Sequence, residues 1–340
     1  AKDLLMLGAH DTPLGNLVQA LNGKLYGLTS TGGTFSVGVL FSYDITTSIY
    51  SVRYNFSNVS GGYIPYGSLV QSAAGLFYGT TSIGGTNADG VLFSWNDVSS
   101  SLSTLRNFNS SSATDGGKPH GSLVLASNGK LYGTTTIDGT AGGGNSYGTI
   151  YSYEISTSTY ARLVAFSGTN SKNPESQLIQ ASNGRLYGVS TNGGTGDFGT
   201  LYSYNISTST YSRLLSFYQR SNGGDPSGSL FKASNGLIYG MTEFGGNNNY
   251  GVIFSINPAT NAYTKLFDFP LGTSTRGGLM QASNGKLYGM TESGGVNGYG
   301  SIFSYDISTA TYATVFSFST LTGTLPHGNL MQATNGKLYG

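Results

Sequence analysis

Two glutamates, Glu243 and Glu292, fall at the same place in successive copies of a repeat, where earlier copies carry Ser30, Ser82, Thr136 and Thr191. Adjacent carboxylates on one face are the equipment of a cation site or of an acid/base pair, with solvated surface as the plain alternative. A second set follows a Pro-x-Gly-like signature, whose x residues are Leu14, Tyr66, His120, Glu175, Ser227, Arg276 and His327. A position that varies inside a constant frame is where individual contacts can be made. A third set, just before a loop glycine, reads Val37, Asp89, Tyr147, Phe198, Tyr250 and Tyr299. Its aromatics suit stacking on sugar rings or on another protein; folded down, they would instead seal the seam between repeats. Tyr250 also follows the polar run Asn247–Asn249.

Other chemistries find little support. The chain has no cysteine and three histidines, so thiolate nucleophiles are excluded and a multi-histidine metal site is not expected. His10 and His327 are the only histidines expected near one another, and two ligands make no site. No G-x-S-x-G elbow accompanies a His/Asp set, and the Gly-Gly pairs precede no helix that would cradle a phosphate. A net charge of +1 with no Lys/Arg run gives no nucleic-acid footprint. No apolar run is long enough for a transmembrane helix. We expect no catalytic residue, no metal and no cofactor.

The elements that carry these positions are set by a repeat. The segment N-G-K-L-Y-G or a variant recurs seven times, its tyrosines being Tyr26, Tyr78, Tyr132, Tyr187, Tyr239, Tyr288 and Tyr339. Units of about 50 residues that cannot bury their own apolar face must pack on copies of themselves. Only 9% of residues are charged, against roughly 25% in an average soluble domain. The 25 Tyr and 17 Phe supply the buried area and argue against disorder. In the fourth copy four strands are expected: a over 176–181, b over 185–190, c over 199–204 and d over 211–217. Asn-Gly between a and b predicts a type I′ hairpin turn. No 3.6-residue period is present, so no helix is expected, and no copy carries a large insertion. Asp44, Glu154 and Asp306 recur at the c–d turn and Gln19, Gln71, Gln180, Gln281 and Gln332 recur on strand a. Both sets read as scaffold.

Four antiparallel strands per repeat make a blade of a β-propeller. The unit resembles the kelch repeat in Asn128-Gly129-Lys130-Leu131-Tyr132, in Gly294-Gly295, and in the run from Phe303 to Tyr312. It is closer to the tandem GloVer-type repeats of large secreted bacterial proteins, which Gly133-Thr134-Thr135 and Gly148-Thr149-Ile150-Tyr151 match. That resemblance covers nearly the whole chain. It implies an exported, often surface-attached propeller and no defined activity.

The fold expected is therefore all-β: one propeller over 1–340 with seven four-stranded blades. The blades run 14–65, 66–119, 120–174, 175–226, 227–275, 276–326, and 327–340 with 1–8. The last is composite, an N-terminal d strand (Asp3–Leu7) joined to C-terminal a and b strands, its c strand expected beyond Gly340. A three-stranded final blade and eight blades are the alternatives. The d–a and b–c loops are expected to share one face, at the channel mouth. The function expected is a non-catalytic extracellular or cell-surface module of a bacterium, binding glycans or proteins on that face. Secretion or anchoring machinery would act through regions outside this chain. A glycan hydrolase or lyase using Glu175, Glu243 or Glu292 is the first alternative, and a structural spacer or secreted cargo domain the second.

Overall fold

A computed structural model describes residues 12, 14–57, 61–139 and 147–340. They fall into two compact units, 1–165 and 166–340. Each unit carries three four-stranded antiparallel sheets, every one ordered a-b-c-d along the chain. In the first unit the sheets are Val18–Gln19, Leu25–Thr29, Val39–Asp44 and Ile49–Asn55; Val70–Ala73, Leu76–Thr81, Val91–Asn96 and Ser101–Asn107; and Val124–Leu125, Lys130–Thr135, Thr149–Glu154 and Thr159–Ala165. In the second they are Ile179–Gln180, Arg185–Ser190, Thr200–Asn205 and Thr210–Ser216; Phe231–Lys232, Ile238–Met241, Val252–Asn257 and Ala262–Asp268; and Met280–Gln281, Leu287–Thr291, Ser301–Asp306 and Thr311–Ser317. These are the blades of a β-propeller fold.

The expected blade number is corrected by this count: the described residues form six blades, not seven. The seventh copy is a two-stranded hairpin, Met331–Gln332 with Leu338–Tyr339. The seventh blade was expected as a composite of this hairpin with an N-terminal d strand; among the described residues the hairpin pairs with no third strand, so no blade forms around it. The d strand expected at Asp3–Leu7 lies outside the described residues.

Within a blade each letter of the motif has a job. The asparagine side chain accepts the amide two residues on (Lys24 to Asn22 Oδ1, 3.1 Å) and donates to the tyrosine hydroxyl four residues on (Asn22 Nδ2 to Tyr26 Oη, 3.0 Å). The same donation occurs at Asn128, Asn183, Asn235, Asn284 and Asn335. Only the glycine has positive φ, 82° at Gly23. The turn is therefore closed by Gly23 N–H to Ala20 C=O, a type I turn with a left-handed glycine rather than the expected type I′. The glycine after the tyrosine makes room. Gly27 lies opposite Phe41 on strand c, and a Cβ there would stand 2.5 Å from the Phe41 ring. The same holds for Gly133 opposite Tyr151 and Gly240 opposite Phe254.

Strands b and c are buried on both faces because blades stack face to face, while strand d stays partly exposed. Tyr26, Leu40 and Phe56 of the first blade pack on Phe77, Phe93 and Trp95 of the second. Leu201, Phe217 and Phe254 join the fourth blade to the fifth, and Phe269 and Phe303 join the fifth to the sixth. Full burial of each such aromatic contributes about 2–3 kcal/mol. The recurring glutamines tie blades together as expected, Gln71, Gln281 and Gln332 accepting amides of Leu21, Ser234 and Ser283 in the preceding blade.

One helical turn, Gln219–Asn222, departs from the all-strand expectation; it fills an extended d–a connection. Among the described residues no helix is long and apolar enough to cross a membrane.

Candidate functional site

The rim is built on a repeated backbone clamp. The residue before the Pro-x-Gly signature adopts the left-handed conformation at Ile64, Lys118, Asn173, Asp225 and Leu325, with φ of 52–57°. Its amide donates to the carbonyl of the b–c loop residue of the preceding blade: Ile64 to Val37, Lys118 to Asp89, Asp225 to Phe198 and Leu325 to Tyr299. Its carbonyl accepts the amide that ends its own blade's b strand, from Ser82, Thr136, Thr191 or Glu243. Phe198 and Tyr299 therefore hold the seam through their backbones, whatever their side chains do.

At the strand-ending position the side chain matters. In four blades a hydroxyl reinforces the clamp by donating to the same carbonyl: Ser30 to Thr12 (3.1 Å), Ser82 to Ile64 (2.9 Å), Thr136 to Lys118 (3.0 Å) and Thr191 to Asn173 (3.2 Å). An ionised carboxylate has no proton to donate, so Glu243 and Glu292 cannot do this. They turn instead to Arg276, which lies between them. Its Nε and Nη2 both stand 3.0 Å from Glu243 Oε1, and Nε is 3.3 Å from Glu292 Oε2. Ser274 Oγ donates to Glu292 at 3.4 Å, and His327 Nε2 is 3.5 Å from Glu292 Oε1, an ion pair when the imidazole is protonated.

Arg276 and His327 stand side by side because the strands that follow them nearly touch. A Cβ on Gly277 would overlap the carbonyl oxygen of Gly328. The carboxylates are recessed, their side chains 11% and 18% exposed, while Arg276 is 52% exposed. The hydrogen bond that Arg276 donates to Glu243 holds the guanidinium above its ordinary pKa. In the sixth blade Thr275 replaces the usual proline and donates to the Thr242 carbonyl at 2.8 Å, anchoring the loop.

Asp225 joins this neighbourhood, and sequence reasoning passed over it. Burial, then the charges of Glu243 and Asp197, push its carboxyl up to about 6. The signal was available: an acidic residue occupies a position whose left-handed backbone favours Asn, Asp and Gly.

The tyrosines divide. Gly300, next to Tyr299, packs against the Glu292 carbonyl and the Pro326 ring, and Tyr299 itself is 40% exposed. Gly251, next to Tyr250, packs against the Glu243 carbonyl, but Tyr250 leans on the core between the fifth and sixth blades. Phe198 likewise packs on the core beneath it, and Tyr147 is half-buried.

The remaining candidates lie elsewhere. In the first unit Tyr66 and His120 stack with ring centroids 4.4 Å apart. Burial, reinforced by Lys118, lowers His120 to about 4, so it is neutral at pH 7. Glu175 is exposed at its surface, yet desolvation of its carboxyl raises it above the ordinary range; among the described residues it pairs with no cation. His10 lies outside the described residues. Among those described, no group of three or more His, Cys, Asp or Glu is arranged to hold a metal ion.

The c–d turn acids are structural. Asp44 and Asp306 each accept two backbone amides and a hydroxyl, which lowers both to about 2.

The repeat with this frame matches a known family model, the Gloeobacter/Verrucomicrobia repeat, over residues 8–179 and 140–340. The chain belongs to that repeat family. No curated protein sequence matches it. Solved structures similar to this Gloeobacter/Verrucomicrobia repeat protein include the extracellular domain of BT4673, a candidate hybrid two-component system of B. thetaiotaomicron. The TM-score is 0.67 and the identity 14%, over 98% of this chain and 37% of that one. The extracellular domain of BT3049, from the same organism and of the same description, gives 0.60 and 16%, over 96% and 38%. An oligogalacturonate lyase in complex with manganese gives 0.59 and 11%, over 92% and 78%. At these identities the likeness establishes the β-propeller fold alone. The chain spans little more than a third of the first two.

Proposed function

We propose that this Gloeobacter/Verrucomicrobia repeat propeller is an exported, non-catalytic binding module whose fifth and sixth blades recognise a glycan. One observation carries the reading. A position that serves the scaffold as a hydroxyl in four blades becomes a carboxylate in two neighbouring ones, and both carboxylates converge on a single exposed arginine. Charge that replaces a scaffold bond loses that bond, and ligand contact is the return. Planar carboxylate and guanidinium groups pair with vicinal hydroxyls, and Tyr299 supplies the neighbouring aromatic face. Two of the similar structures are extracellular domains, which supports export.

The lyase among the similar structures keeps a hydrolase or lyase reading in view. Both carboxylates are ion-paired to Arg276, so bringing either to a scissile bond first requires that pair to break. This favours binding over catalysis.

A screen against glycans, polysaccharides and extracellular proteins, with wild type and a Tyr299→Ala variant, tests the reading. Glycan retention by wild type, weakened at least about tenfold in the variant, is expected. Retention of proteins only would replace the glycan with a protein ligand. Turnover of a glycan abolished by Glu243→Gln would replace the module with an enzyme.

A further inference from the structure

The extended d–a connection that enters the fifth blade makes a cleft. Its helical turn, Gln219–Asn222, faces the b–c loop Gly246–Asn249 of the same blade across an open cavity of about 520 Å³. The walls are fixed. Gly246 N–H donates to the Gln219 carbonyl at 2.7 Å, and the missing Cβ of Gly245 admits that carbonyl. Asn247 is tied to Asp268 by its backbone (2.8 Å) and side chain (3.0 Å), and Asn248 Nδ2 donates to the Phe269 carbonyl at 2.9 Å. Asp268 is in turn neutralised by Lys265 at 2.9 Å.

What the cleft leaves free is specific. Arg220 is exposed and, among the described residues, has no carboxylate partner. The Asn249 side chain has none either, on a backbone held at φ 61°. Tyr218 (48% exposed) immediately precedes one wall, and Phe244 (40%) stands two residues before the other. Phe244 directly follows Glu243, so the cleft and the arginine-centred rim are joined by one short stretch of chain.

We propose that this cleft is a subsite for the carboxylate of an acidic sugar, resting on the glycan reading above. A guanidinium not engaged by the protein's own acids offers paired N–H donors that match a planar carboxylate, and the asparagine amide adds hydrogen bonds to ring hydroxyls. The rim beside it contributes two carboxylates and repels a second acid, so the acidic sugar belongs at Arg220 and a neutral sugar at Glu243–Arg276. The ligand class is a glycan in which uronic acid and neutral residues occur together.

Calorimetric titration with a mixed oligosaccharide containing one uronic acid, its methyl ester, and an all-neutral homologue tests this. The partner in each titration is wild type or Arg220→Gln, a surface change. Wild type is expected to bind the acid roughly tenfold tighter than the ester, and Arg220→Gln to bind acid and ester alike at the ester's affinity. Equal binding of acid and ester by wild type, or a preference surviving in Arg220→Gln, overturns the subsite while the glycan reading stands. Failure of wild type to bind all three overturns both.

Discussion

Where each b strand leaves its sheet, one side-chain oxygen decides which partner the position takes. The hydroxyls of Ser82 and Thr136 serve the backbone, and the carboxylates of Glu243 and Glu292 serve Arg276. Two titrating groups beside these positions give opposite pH dependences. Asp225, raised to about 6 against an ordinary 3.8, binds more protons folded than unfolded between those values. Its contribution is complete below about 3.8 and is lost as pH rises through 6. His120, lowered to about 4 from 6.5, binds fewer protons folded; its contribution is present above 6.5 and is lost as pH falls through 4. Denaturation from pH 4 to 8 is expected to show Asp225→Asn gaining stability over wild type as pH rises from about 4 to 6 and keeping that gain above 6. His120→Gln is expected to flatten the acid side. Parallel curves for all three proteins would remove both assignments. The carboxylate pair was legible in the sequence as a departure from the repeat. Its arginine was legible only as one of seven variable positions, because which neighbours it meets depends on how closely Gly277 approaches Gly328.

The a–b hairpin is the best-determined element, since all its information is local. Asn183 closes the turn by accepting the Arg185 amide, donates to the Tyr187 hydroxyl, and reaches the Pro258 carbonyl in the next blade. Replacement by alanine removes these bonds and leaves a buried tyrosine hydroxyl with fewer partners. A loss of about 1–3 kcal/mol in chemical unfolding is expected for Asn183→Ala. For Asn335→Ala, in the exposed final hairpin, the loss is expected to be smaller; equal losses would contradict the bridging role. Strands b, c and d were placed to within a residue or so in the fourth copy, and strand a shrank to Ile179–Gln180. The turn type was misread because Asn-Gly also fits a type I turn when only the glycine takes positive φ. The helical turn at Gln219–Asn222 was not legible, since four residues carry no helical period.

For the whole chain, the repeat was enough to establish an all-β propeller family, and the blade number was where it misled. Among the described residues six blades are complete and the seventh copy is a hairpin alone, because the composite blade needed a d strand at Asp3–Leu7, outside those residues, and a c strand the sequence did not contain. Function follows the same division: what recurs builds, and what changes is available for contact. The most direct test restores the recurrence. A variant carrying Glu243→Thr, Arg276→Ser and Glu292→Thr returns the rim to the pattern of the other blades, with hydroxyls again able to donate to the Asp225 and Ser274 carbonyls. Calorimetric titration with the glycan retained by wild type, alongside thermal unfolding of both proteins, is the measurement. The account predicts unfolding at or above the wild-type temperature together with binding weakened at least about a hundredfold, roughly 2.7 kcal/mol. Unchanged affinity in the stably folded variant would contradict it.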